Sequence, residues 1–456
     1  MKVIHIPYSF PPDPSGGTEI YVANLAVLQQ QAGVETLVCA PGQTPTTYIY
    51  AGLRVRRWIG TGVVDDASFA YDEGDPVGAD EFERMVDEEK PDVVHFHSFT
   101  AMASLRLARR LQARGIPIVF TYHVPTVSCQ RGSMLLWGRD PCDGHLRVDR
   151  CAACSAHGRG VPLVAARLLG RVPSAIGRRL QDARLSGGAW TALRLTHLVE
   201  TRHESVRAFL TLVDRIVAPS NWVKDLLVAN GVEDAKIDVC PQGIAVGDGS
   251  YNVMPMERRA GASLALAFMG RLDPTKGVDL VLDALALIPD ADVTFDIYGV
   301  LPRNNDPYSA RLAARIRKDP RVRLVPAVPS AASIATMRAY DMLVVPSQWL
   351  ETGPLVALEA FQAGIPVIGS KLGGIGDRVT HGVDGLLLDA HDPRAWADEI
   401  RRLAADRGAL AKLKAGVKPP PSMADVSSAM IRLYEELLAQ REPALRAGRH
   451  SAAAPT

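Results

Sequence analysis

The chain has 456 residues, with 51 Lys and Arg against 50 Asp and Glu and a formal net charge of +1. That length suits two or three domains, and the balanced charge lacks the basic excess of a nucleic-acid binder. Hydrophobic residues at 47% with 22% charged exclude wholesale disorder, and no apolar run reaches the ~20 residues of a membrane span. The opening apolar run, Lys2–Pro7, is too short for a secretion signal, which points to a cytoplasmic protein.

Lys2–Pro7 reads as a strand, followed by a loop rich in Pro and Gly that runs to Gly17. Thr18–Ala32 has helical periodicity and stops at Gly33, and Thr36–Ala40 is the next strand. Asp92–Phe96, Ile116–Tyr122, Arg215–Ala218 and Ile237–Cys240 continue the series. A second series follows a polar stretch. Its strands are Leu264–Met269, Val293–Tyr298, Val322–Val325, Met342–Val345, Pro366–Ile368 and Gly385–Leu388. Helices fit Val278–Leu287, Pro307–Lys318, Pro354–Ala363 and Pro393–Ala404. Such alternation predicts an α/β protein with two doubly wound, parallel-sheet domains facing a cleft, where ligands bind beyond the carboxyl ends of the strands. The expected limits are 1–245 for the first domain, 246–260 for a linker and 261–422 for the second domain. A last helix covers 423–441, and a disordered tail covers 443–456.

Residues 129–210 break the alternation as an insertion in the first domain. Arg171, Arg178, Arg179, Arg184 and Arg194 stand there against few acids. A helical cap with a solvated face is the favoured reading. The alternative is a peripheral contact with anionic lipid at the inner face of the membrane.

Three loops carry chemistry. In Asp341–Gly364 a strand ends at Pro346, a loop carries Glu351, and a helix opens at Pro354. The amides of Leu355 and Val356 then form an anion site at a helix N-terminus. Glu359, roughly 7 Å further along that helix, could take ribose hydroxyls. Arg271 and Lys276 lie just past a strand in the frame Gly270-Arg271 to Lys276-Gly277, which suits a diphosphate. Gly16 and Gly17 follow the first strand and could lie against a phosphate, although there is no G-x-G-x-x-G. His97 and His123 follow two further strands. Asp290-Ala-Asp292 precedes a strand and is read as a turn.

Together these pieces resemble glycosyltransferase family 4 on the GT-B fold, from Met1 to about Leu438. The resemblance rests on Gly16-Gly17, His123 in Thr-Tyr-His-Val, Gly270-Arg271 with Lys276-Gly277, and Glu351-x7-Glu359. It implies transfer of a sugar from a nucleotide-diphosphate sugar to a hydroxyl acceptor, with retention and no metal at the reaction centre. Arg271 and Lys276 would hold the diphosphate, Glu359 the ribose, and Glu351 the donor-sugar hydroxyls, with Pro354, Leu355 and Val356 at the donor. Gly16 and Gly17 would pack near the diphosphate. His123 would contact the sugar, and His97 would lie on the acceptor side. Asp377 stands where the family more often has Glu. An epimerase or hydrolase acting on nucleotide-sugars is the alternative on the same fold.

Four of the six cysteines form Cys129-x12-Cys142-x8-Cys151-x2-Cys154. The closing C-x-x-C is a ligand spacing, and four thiolates complete a tetrahedral structural zinc site. An iron–sulfur cluster has the same ligand count. A subset of the family looks similar just after the histidine.

Overall fold

The computed structural model describes residues 1–13, 16–62, 71–185, 187–245, 263–299 and 307–451, the side chains of 330 and 442–451 aside. It divides into two compact units, Met1–Pro241 with Met423–Thr456, and Gln242–Ser422. The first boundary therefore falls at Pro241 rather than after residue 245. The expected linker 246–260 lies outside the described residues.

Unit 1 contains β1 (Lys2–Ile6), α1 (Gly17–Gln31), β2 (Glu35–Pro41), β3 (Thr46–Tyr50), β4 (Leu53–Trp58), α2 (Pro76–Glu89), β5 (Val93–Phe96), α3 (Leu105–Ala113) and β6 (Ile118–Thr121). The insertion follows as β7 (Leu135–Leu136), β8 (Asp140–Pro141), α4 (Val148–Gly158), α5 (Leu163–Leu169), α6 (Ser174–Asp182) and α7 (Gly188–Leu212). The chain then rejoins the sheet through β9 (Arg215–Ala218), α8 (Asn221–Ala229) and β10 (Ile237–Val239). The eight strands are ordered β10-β9-β6-β5-β1-β2-β4-β3. All pairs are parallel except β3 on β4. β3 and β4 were not expected. β4 alternates Arg with apolar residues and β3 is mostly exposed, so neither presents the continuous apolar run of a strand buried on both faces.

The insertion holds a small hairpin, β7 on β8, as well as helices. Arg171, Arg178, Arg179 and Arg184 are exposed as expected. Arg194 is not on that surface: it is 1% exposed, and its guanidinium donates to the Leu185 carbonyl at 3.0 Å and to Gln181 Oε1 at 3.1 Å.

Unit 2 contains β11 (Leu264–Met269), α9 (Val278–Ala286), β12 (Val293–Tyr298), α10 (Pro307–Lys318), β13 (Val322–Val325), α11 (Ser333–Met337), β14 (Met342–Val345), α12 (Leu355–Gln362), β15 (Val367–Ser370), α13 (Gly373–Arg378), β16 (Gly385–Leu388), α14 (Pro393–Ala405) and α15 (Arg407–Gly416). Its sheet is ordered β13-β12-β11-β14-β15-β16 and is parallel throughout. β11, β14 and β16 are apolar runs because helices cover both faces, leaving one core cluster on each side, whereas β12 carries Thr294 and Asp296 and β13 carries Arg323. Residues 289–291 form the turn expected at Asp290-Ala-Asp292.

The last helix, α16, runs Met423–Ser451. Where a disordered tail was expected from 443, helical backbone continues to Ser451, and residues 452–456 lie outside the described residues. Met423, Val426, Met430, Leu433, Tyr434 and Leu437 of α16 join the unit 1 core beside Tyr21, Val22 and Leu25 of α1. Among the described residues no helix is long and apolar enough to cross a membrane.

Candidate active site

In unit 2 the strand order reverses between β11 and β14. Two parallel strands that turn away from each other leave their following loops side by side at the carboxyl edge, the place where doubly wound sheets bind ligands. The loop after β11 carries Arg271 and Lys276, and the loop after β14 carries Glu351. A backbone bond from Gln348 N–H to the Thr275 carbonyl, 2.7 Å, ties the two together.

Lys276 Nζ donates to Glu351 Oε1 at 2.7 Å, and the Ser347 hydroxyl donates to the same oxygen at 2.6 Å. The ammonium also sits 5.4 Å from the centroid of the Trp349 ring. Glu351 is buried and Lys276 is half-buried, so each charge is held by the other and by a flanking hydroxyl or ring. Gly277 makes this closeness possible. Its φ is +71°, and a Cβ there would lie 1.9 Å from the Pro346 carbonyl oxygen. Behind Glu351, Gly374 N–H donates to the Glu351 carbonyl at 2.6 Å, and a Cβ on Gly374 would lie 2.4 Å from the Thr352 carbonyl oxygen.

Arg271 is 77% exposed and reaches Asp273 Oδ2 at 3.7 Å. Its guanidinium is therefore presented to solvent. α12 begins after Pro354, whose side chain offers no acceptor to Leu355 and Val356, so the helix N-terminus is presented as a donor end. Glu359 sits further along α12 beside the Ser333 hydroxyl. Burial raises its carboxyl above the usual range, partly offset by that hydroxyl. The structure thus brings Lys276 and Glu351 into direct contact and leaves Glu359 and Arg271 as separate outposts of the same edge. Sequence reasoning missed Ser347, Trp349 and Ser333. Ser347, in the same short loop, had a weak signal in its spacing to Glu351; Ser333 had none, because it comes from another helix.

In unit 1 the reversal lies between β1 and β5. Gly16 and Gly17 are exposed where α1 begins, and the Gly16 amide donates to Glu19 Oε2 at 2.8 Å. His97 and His123 follow β5 and β6 and are both buried. His97 was expected on the acceptor side. It is instead 1% exposed, with its ring nitrogens 3.0 Å from His5 Nδ1 and 3.0 Å from His123 Nε2. Asp377 is exposed on α13.

The four cysteines Cys129, Cys142, Cys151 and Cys154 line one pocket of the insertion together with Arg131, His145 and Arg150. Two of these sulfurs receive donors: Gly144 N–H to Cys142 Sγ at 3.5 Å, and Trp137 N–H and the Arg131 guanidinium to Cys154 Sγ at 3.3 and 3.5 Å. Among the described residues no three of the four sulfurs lie within 4.8 Å of one another. Burial pushes the Cys151 thiol up to about 11.

Two family profiles divide the chain. Residues 16–243 match "Glycosyl transferase 4-like domain" and residues 257–418 match "Glycosyl transferases group 1". The chain belongs to this glycosyltransferase family. A D-inositol 3-phosphate glycosyltransferase of Pseudarthrobacter chlorophenolicus is 32% identical over 201 residues, 42% of this chain and 48% of that protein. One from Thermobispora bispora is 32% identical over 238 residues, 47% of this chain and 55% of that protein. The chain thus spans about half the length of the curated relatives it matches. Among solved structures, sucrose-phosphate synthase from Thermosynechococcus elongatus superposes with a TM-score of 0.64 at 19% identity, covering 96% of this chain and 99% of that one. Anabaena HepE in complex with UDP and glucose gives 0.61 at 16% identity, covering 96% and 100%. The fold is GT-B. The named relatives are transferases, and the epimerase or hydrolase alternative gains no support from them.

Proposed function

We propose that this protein transfers a sugar from a nucleotide-diphosphate sugar to a hydroxyl acceptor with retention of configuration. The observation that carries the reading is the Lys276–Glu351 pair at the strand-order reversal of unit 2. Lys276 and the exposed Arg271 supply cations for a departing diphosphate, and preorganised charge of this kind lowers the barrier to leaving-group departure. The α12 N-terminus with Leu355 and Val356 adds amide donors for the same anion. Glu359, one side of which faces Ser333, is placed for ribose hydroxyls, and Glu351 for hydroxyls of the donor sugar. Gly16 and Gly17 are assigned to the diphosphate, and His123 to a hydrogen bond with the sugar. The test is a thermal-shift panel of UDP-, GDP- and ADP-sugars followed by product analysis by NMR. Stabilisation by one nucleotide-sugar is expected by mass action, with retained linkage and no loss in EDTA. An inverted linkage would overturn the reading.

The cysteine pocket is proposed to hold one structural zinc. Four soft ligands from a single insertion line it, and N–H groups donate to two of the sulfurs, those of Cys142 and Cys154. When bound, the metal would supply folding energy to a segment poor in apolar residues, with Cys129, Cys142, Cys151 and Cys154 as ligands. Metal analysis should find about one zinc per chain, absent from Cys151→Ser. Iron with a visible absorbance band would replace zinc by an iron–sulfur cluster.

The insertion is also proposed to touch anionic membrane surfaces. Val164, Leu168, Ile176 and Trp190 are exposed large apolar residues, and the exposed Arg171, Arg178, Arg179 and Arg184 lie among them in sequence. Cosedimentation with phosphatidylglycerol vesicles but not with phosphatidylcholine vesicles is the expected result. Equal or no sedimentation with both would reject it.

A further inference from the structure

Four histidines lie in the core of unit 1, and their rings belong to two hydrogen-bond branches that meet at Gln29. Gln29 Oε1 is 2.9 Å from His5 Nε2, His5 Nδ1 is 3.0 Å from His97 Nε2, and His97 Nδ1 is 3.0 Å from His123 Nε2. A second branch leaves the same amide. Gln29 Nε2 donates to the Tyr434 hydroxyl at 3.4 Å, that hydroxyl is 2.6 Å from His95 Nδ1, and His95 Nε2 is 2.7 Å from the Thr121 hydroxyl.

A neutral imidazole has one N–H and one lone pair, so it passes hydrogen-bond direction from one neighbour to the next. Burial depresses all four rings, His5 to about 4 and His123 to about 3, and each is neutral at pH 7. With Gln29 Oε1 as the acceptor, His5 must carry its proton on Nε2. His97 then donates from Nε2, and so does His123. The same amide orientation sets the other branch: Gln29 donates to Tyr434, Tyr434 to His95 Nδ1, and His95 Nε2–H to Thr121. Turning the Gln29 amide over would require both hydroxyls and all four rings to switch together. His5, His95 and His97 have ring nitrogens within 4.8 Å of one another. Every one of those nitrogens already has a hydrogen-bond partner, so the chain accounts for the cluster without a cation.

We propose that Gln29, His5 and His97 are positioning residues that fix His123 in the tautomer protonated on Nε2. Its Nδ1 lone pair then accepts a hydroxyl of the donor sugar. The second half of this statement rests on the role proposed above for His123. The first half rests only on the chain of contacts. α16 takes part, because Tyr434 holds the other end of the amide that sets the direction.

The test starts with the histidine-labelled full chain. Ring nitrogen NMR should show His123 protonated on Nε2 and unprotonated on Nδ1, with nitrogen–nitrogen coupling through its hydrogen bond to His97. Protonation of His123 on Nδ1, or no such coupling, overturns the relay. Two variants then separate positioning from bulk packing. His97→Gln keeps an acceptor for His123 and a donor for His5, whereas His97→Phe keeps neither. His97→Phe should weaken the nucleotide-sugar about tenfold while leaving the affinity for the nucleoside diphosphate unchanged, and His97→Gln should restore the sugar-dependent part. Equal loss for both ligands, or no rescue by Gln, overturns the proposal. If His97→Phe does not fold, the wild-type ring spectrum and the His97→Gln titration decide the matter. His123→Ala with unchanged nucleotide-sugar affinity would remove the sugar contact, while the ring spectrum would still judge the relay.

Discussion

Gly277 joins the two loops of the unit 2 site, and Gly277→Ala isolates what that closeness is worth. Its φ of +71° costs an L-residue about 1–2 kcal/mol. Loss of chain freedom in the unfolded state returns about 0.4–1 kcal/mol. The dihedral alone therefore costs about 1 kcal/mol. The new Cβ would stand 1.9 Å from the Pro346 carbonyl oxygen and 2.9 Å from Gln348 Nε2. A backbone atom cannot step aside like a side-chain tip, so the loops must part by more than an ångström. Overpacking of this kind costs about 1–3 kcal/mol, and loss of the Gln348 N–H bond to Thr275 adds about 1 kcal/mol. The expected total is about 3–5 kcal/mol. Gly364 is the matching control: its φ is +79° but nothing lies within 4 Å of its Cβ position. Gly364→Ala should cost only the dihedral part. Urea unfolding followed by tryptophan fluorescence measures both, and titration with nucleotide-sugar should show at least tenfold weaker binding for Gly277→Ala alone. Equal costs for the two variants, or wild-type binding by Gly277→Ala, would refute the reasoning.

Arg271→Ala should leave the protein folded, because the side chain is 77% exposed, yet cost transfer about 3–4 kcal/mol of leaving-group stabilisation; purified-enzyme kinetics decide this. Lys276→Met leaves the buried Glu351 carboxylate without its cation, at about 1.5–3 kcal/mol. The double variant with Glu351→Gln should recover part of that, and strict additivity in the cycle would show the two are uncoupled. The buried histidines make unit 1 sensitive to acid. His5 falls to about 4 and His123 to about 3 from 6.5, so below pH 6.5 the unfolded chain gains protons that the native state refuses. Stability is full above pH 6.5 and drops toward pH 4 by about 1.4 kcal/mol per pH unit for each such ring. His5→Gln should flatten that slope in denaturation curves taken between pH 4 and 7.

Most of the parallel framework was legible because a strand buried on both faces must be written as an apolar run, and Leu264–Met269 or Met342–Val345 have no other sensible reading. The positions of Lys276 and Glu351 in loops that follow such strands were also legible. β4 was hidden by Arg54, Arg56 and Arg57, which look like surface charge; two of them meet buried Glu89 of α2, a pairing 33 or more residues away that no local pattern contains. The same distance hid the histidine chain. His5, Gln29 and Tyr434 sit in three elements whose periodicities announce only apolar faces, and His97 was misplaced because a residue after a strand can turn inward as readily as outward. The tail was misjudged because Ala- and Arg-rich sequence satisfies helix propensity as well as disorder.

One consequence concerns synthesis. Unit 1 is built from both ends of the sequence, with Met423–Leu437 completing the core begun by β1 and α1. As a ribosome extends the chain, residues 1–241 emerge with the α1 face and the Gln29 amide still waiting for Tyr434, and the whole of Gln242–Ser422 is made in the interval. The second unit can therefore reach its native packing while the first remains an open intermediate. That intermediate exposes apolar side chains, which makes this stage the one where a chaperone has most to hold. Stalled chains released before residue 423 should aggregate or be degraded even though every residue of the proposed donor site has already been made.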